Sequence, residues 1–197
     1  MKRIRAAVFG VALTSIFTTG IAQTVTTLRL DGQPLVYMKD GRPHGCGLRI
    51  FGFHEIQPSG RLRMVDVSVN VHTATPASVK LTTADTSFDD MKAGNKPRSA
   101  RVLAGWIRAQ DAISTRPLEG KTAAGDDGLS LLYWTDHDSA LAVFAAQAER
   151  KTIMIGVRRD GDSHERIYAG HVNLSLDESK QITQCLSELS AGLRPRK

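Results

Sequence analysis

Between Leu62 and Val71, Val65, Val67, Val69 and Val71 alternate with Asp66, Ser68 and Asn70. A period of two places one apolar and one polar face on an extended chain, the pattern of a half-buried antiparallel strand. This stretch commits the chain to a sheet that must be covered on one side. Leu28 to Leu30 and Leu35 to Met38, flanking Asp31-Gly32, predict an opening hairpin, and Asp40-Gly41 a second break. Leu48 to Ile56 reads as a strand, and Val79 and Leu81 continue the alternation after Pro76.

Two polar stretches, 85–99 and 115–128, read as long loops and as the candidate binding face, because binding residues concentrate on loops held by a rigid scaffold. Val102 to Ala109 between them resembles a strand, although Ala104, Trp106 and Arg108 also suit a helix.

The final third carries two helical patterns. Thr135-x-x-Asp138 has the spacing of a helix start, and Leu141, Phe144, Ala145 and Ala148 fall on one face. Ile153, Ile155 and Val157 alternate as a strand. After the Asp160-Gly161-Asp162 turn, Tyr168, Gly170, Val172 and Leu174 alternate back. Ser175-x-x-Glu178 forms a capping box for a last helix, with Ile182, Cys185, Leu186 and Leu189 on its apolar stripe. The expected fold is α+β: a mostly antiparallel sheet with one internal helix and a C-terminal helix packed on it.

The beginning of the chain reads as an address. Lys2, Arg3 and Arg5 precede an uncharged run from Ala6 to Ala22, which ends in small residues. This is the three-part layout of a secretory signal peptide cleaved before Gln23. The run is marginal for a membrane span, and no later stretch approaches one, so no integral span is expected after cleavage. The expected organisation is a leader over 1–22, one globular domain over 23–192 and a basic tail over 193–197. The leader carries three basic residues and no acidic one, so its loss leaves 175 residues and lowers the net charge from +6 to +3. A chain of that size buries roughly 70% of its unfolded surface, enough for a real core.

Export also bears on Cys46 and Cys185, the two cysteines. An oxidising compartment and an even count favour one disulfide, with buried free thiols as the alternative. Because Cys185 lies on the apolar stripe, a bridge would tie the last helix to a turn around Cys46.

Motifs for chemistry are sparse. Asp136-His137-Asp138 offers acid, base and metal-ligand types, but carboxylates at a helix start also meet its unpaired N–H groups. From Asp160, an EF-hand needs glycine at position six and an acid at twelve; Glu165 and His171 stand there instead. No nucleophile elbow, phosphate loop or dinucleotide fingerprint is found, since Gly45-Cys46-Gly47 is followed by Ile50 where a third glycine is needed. No catalytic, cofactor or metal site is therefore assigned. The pI near 9.6 would suit nucleic acid, but the basic residues are scattered and export separates the chain from it.

The resulting expectation is an exported domain, in the periplasm of a Gram-negative bacterium, that binds an envelope protein or small ligand without catalysis. The alternative is an envelope hydrolase centred on Asp136, His137 and Asp138. In a eukaryotic secreted protein, Asn173-Leu174-Ser175 would be a glycosylation sequon.

Overall fold

The computed structural model describes residues 25–192; the leader over 1–22 and the tail over 193–197 lie outside the described residues. The chain runs β1 (Val25–Thr27), β2 (Leu30–Lys39), β3 (Arg42–Ile56), β4 (Arg61–His72), β5 (Ala77–Thr86), α1 (Phe88–Lys92), β6 (Arg98–Ala100), β7 (Val102–Ala109), β8 (Thr122–Ala124) and β9 (Leu131–Thr135). It continues as α2 (His137–Ala148), β10 (Ile153–Arg159), β11 (Arg166–Gly170), β12 (Val172–Asn173) and α3 (Leu176–Gly192). The fold is α+β and largely antiparallel, with α2 internal, α3 terminal and α1 a short third helix.

Two sheets form. The larger has the order β12-β2-β3-β4-β5-β9-β8, with β6 paired to β5; the smaller has the order β1-β11-β10-β7. The valine alternation sets the register of the larger sheet. Val69 stands opposite Leu48 on β3 and Val79 on β5, and Val79 stands opposite Tyr133 on β9. All four are fully buried. Burying each such side chain contributes about 1.5–3 kcal/mol, so a one-residue slip of β4 would turn the whole row to solvent. Helix α3 covers β2 and β3, while α2 packs against β4 and β5 of the larger sheet and β7 and β10 of the smaller. One contiguous apolar cluster joins both sheets to both helices.

Several expectations are corrected. Asp31-Gly32 is not a hairpin turn; β2 runs straight through it, and the turn lies at Asp40-Gly41, where φ is 52° and 75°. Two consecutive positive φ values match the right-handed twist of a hairpin. Gly32 serves packing instead: a Cβ there would stand 2.6 Å from Leu174 and 2.7 Å from Val172, which cross over it. Cys46 lies within β3, not in a turn. The run from Tyr168 to Leu174 does alternate, but it changes sheets at His171, with β11 joining the smaller sheet and β12 the larger.

Ala140, Val143, Phe144 and Gln147 form the buried face of α2, with Ala146 buried beside them and Leu141 42% exposed. That face has the expected spacing, shifted by one residue. The segment is apolar nearly all round, so periodicity alone leaves its rotation open. The cap, too, is Asp136 rather than Thr135, which closes β9 in the core. On α3, Ile182, Cys185 and Leu189 are buried as expected.

Both polar stretches are built into the fold. Within 85–99, Ser87 caps α1, Asn95 donates to Asp90, and β6 pairs with β5. Within 115–128, Leu118 N donates to the Trp134 carbonyl and Trp134 N to the Lys121 carbonyl, while β8 pairs with β9.

Candidate binding groove

A groove of about 1110 Å³ lies between the end of α2, β12 and α3. Its walls follow from local signals. Arg150 ends α2 in the left-handed region at φ 54°, and Lys151 N donates back to the Ala146 carbonyl at 2.8 Å. A left-handed residue and returning N–H groups of this kind satisfy the last carbonyls of a helix. Helix α3 opens with the expected capping box: Ser175 N donates to Glu178 Oε2 at 2.8 Å, and Glu178 N donates to Ser175 Oγ at 3.2 Å. The serine donors hold the Glu178 carboxyl below its usual range.

The rotation of α3 is fixed by its apolar stripe and by the Cys46–Cys185 disulfide, whose Cα atoms stand 5.9 Å apart. That rotation turns Ser179, Thr183 and Ser187 toward the groove, one helical turn apart. Opposite them stand Gln147, Ala148 and Arg150, with His171, Val172 and Asn173 between. The volume slightly exceeds the range for ligand sites, about 300–1,000 Å³. Gln147 is 8% exposed yet makes no side-chain hydrogen bond among the described residues. The amide atoms are not sealed off but open into the groove, where a ligand can bond them. A smaller cleft of about 220 Å³, lined by Arg101, Leu103 and Thr122, lies beside β8.

Asp136, His137 and Asp138 sit together at the exposed start of α2. Asp136 Oδ1 accepts from Ser139 N at 2.7 Å and Oδ2 from Ser139 Oγ at 2.8 Å. The backbone donor is the first cause holding this carboxyl below its usual range. The serine hydroxyl therefore closes the cap instead of meeting an imidazole. His137 Nε2 lies 3.3 Å from the His72 carbonyl. The arrangement is that of a helix N-terminus, and capping accounts for Asp136 fully.

Two clusters escaped the sequence reading. In the first, Tyr37, His44 and His72 meet at one end of the larger sheet, with ring centroids 5.6–6.5 Å apart. Tyr37 donates to Asn70 Oδ1 at 2.9 Å. Burial, then the neighbouring His44 and His137, hold His72 below the usual imidazole range. Gly45 stands opposite both Tyr37 and His72, and a Cβ there would run into the His72 ring. Among the described residues, no group of three or more His, Cys, Asp or Glu is arranged to hold a metal ion.

The second cluster is a buried ion network joining the sheets. Arg63 Nε and Arg159 Nη1 both meet Asp85 Oδ1, at 3.1 and 2.8 Å. Asp162 gathers Arg63, Arg159 and Arg166 at 3.5–3.8 Å. A signal for Arg63 was present: counted back from Val65, the alternation puts position 63 on the inward face. Asp162 belongs to this network as well as to the turn after β10.

The chain matches no protein-family model and no curated protein.

Proposed function

We propose that this protein is an exported, non-enzymatic binding module whose ligand face is the groove between α2 and α3. The single observation that carries the reading is the Gln147 amide, which makes no side-chain hydrogen bond among the described residues and opens into the wall of a groove of about 1110 Å³. The leader over 1–22 supports export, and the Cys46–Cys185 bridge suits an oxidising compartment. Among the described residues, no helix is long and apolar enough to cross a membrane. Binding belongs to the groove rather than to 85–99 and 115–128, because strand pairing and caps consume much of the polar capacity of both stretches. The disulfide keeps α3, one wall of the groove, fixed on the sheet that supports it.

The test is purification of the tagged protein from its native envelope, followed by mass spectrometry of what it retains. Intact mass should place the mature N-terminus at Gln23. Thr183→Trp, which fills the groove from an exposed position, should release the retained partner without lowering Tm. Retention of the same components by wild type and variant would remove the groove from the binding face.

A further inference from the structure

We infer that the groove takes an extended, acidic peptide segment of another envelope protein, laid along β12 as an added strand. This rests on the groove being the binding face and specifies what fills it.

The first support is the backbone. Strand β12 is the outermost strand of the larger sheet, paired on one side with β2, and both its residues line the groove. An unpaired strand edge inside a concavity offers main-chain donors and acceptors to any extended chain. The Gln147 amide, with two donors and an acceptor, matches the groups of a peptide bond.

The second support is charge. Arg150, Lys180 and His171 line the groove, and no Asp or Glu does. Arg150 has no ion pair among the described residues, and Lys180 meets only the 94%-exposed Asp177 carboxylate, at 3.6 Å. The nearby carboxylates on α3 have other partners: Glu178 is in the capping box and Glu188 accepts from Gln184 at 2.8 Å.

The third support is the apolar part of the wall. Val172, Leu174 and the 71%-exposed Leu176 give aliphatic contact, while no Phe, Tyr or Trp is present to stack on a sugar ring. Successive side chains of a strand point to opposite sides. A segment alternating acidic and aliphatic residues would present carboxylates to Arg150 and Lys180 and aliphatic groups to Val172 and Leu174.

The probe is a fluorescein-labelled Glu-Val-Glu-Val-Glu-Val peptide, titrated by anisotropy into the full exported, disulfide-bonded protein. Saturable binding is expected, weakened at least tenfold by the Arg150→Glu, Lys180→Glu double variant and by N-methylation of alternate peptide bonds. The matching Lys-Val peptide should not bind. Amide NMR shifts should centre on residues 172–174 and on the Gln147 side chain. Equal binding of the N-methylated or Lys-Val peptide, or shifts centred elsewhere, would overturn the inference. So would groove shifts caused by an acidic oligosaccharide such as oligosialic acid with none from the peptide; the groove would then remain the binding face with a different occupant. Failure of the peptide together with unchanged partner retention by Thr183→Trp would remove both readings.

Discussion

The Thr115 hydroxyl lies 2.7 Å from the Tyr133 phenol oxygen, and both residues are fully buried. Thr115 Oγ1 also accepts from Ile107 N and donates to the Ile107 carbonyl, each at 3.0 Å. One hydroxyl thus joins β7, β9 and the start of the 115–128 stretch. Tyr133→Phe should cost about 1 kcal/mol, because the threonine keeps both backbone partners. Thr115→Val should cost about 3 kcal/mol, since it leaves the phenol and the Ile107 N–H buried without partners. Urea unfolding of both variants checks the order.

Alkali should unfold the protein through its buried tyrosines. Burial pushes the Tyr133 phenol well above 10, and burial also raises Tyr168. A group with a raised folded pKa favours the fold fully below its unfolded pKa, here about 10, and that contribution is lost as pH rises toward the folded value. Absorbance at 295 nm should show two tyrosines ionising only together with loss of the near-ultraviolet circular dichroism.

Acid should act through two histidines at opposite ends of the β3–β4 ladder. The His72 pKa is depressed by burial and by His44 and His137, and the His54 pKa by burial and by Arg166 and Arg63. A depressed folded pKa gives stability that is present above the unfolded value, about 6.5, and lost as pH falls through the folded one. The urea midpoint should therefore fall as pH drops below about 6.5. His72→Gln should flatten part of that fall, and histidine ring-proton shifts should report the titration directly.

The alternation that fixed β4, the capping box of α3 and the apolar stripe carrying Cys185 are local signals, and they locate the elements they belong to. The groove is a different kind of feature. Gln147 and Ser179 are 32 positions apart, and what brings them together is the bridge at Cys185 and the rotation of α2. A helix apolar on nearly every side gives no sequence cue to that rotation. Asp31-Gly32 misled for a related reason. Its residues suit a turn, but Gly32 is required where the chain returning from the smaller sheet crosses it. Arg63 was legible by parity alone, although its partners, Asp85 directly opposite on β5 and Asp162 in the turn after β10, are distant in sequence.

The Cys46–Cys185 bridge closes 139 residues. In the chain-entropy model this stabilises the fold by about 5 kcal/mol at most. Denaturant midpoints with and without reductant, and of the double Cys→Ala variant, should differ by about 2–5 kcal/mol. Because the bridge anchors α3, reduction should also raise hydrogen exchange in α3 before the sheet opens.

The ion network should be asymmetric. Asp85 serves both Arg63 and Arg159 and is their closest carboxylate, so Asp85→Asn leaves two largely buried guanidiniums with only the more distant Asp162. Breaking a buried pair costs about 3–5 kcal/mol. Arg63→Met should cost less, because Asp85 keeps Arg159 and Asp162 keeps Arg159 and Arg166. Thermal melts at equal ionic strength compare the two.

The most direct measurement is photo-crosslinking in the native host, with benzoylphenylalanine at Thr183 inside the groove and, in a second strain, at the exposed Lys80 on the opposite face of the sheet. Binding through the groove gives a discrete adduct from Thr183 and none from Lys80. An adduct from Lys80 with none from Thr183 would contradict it.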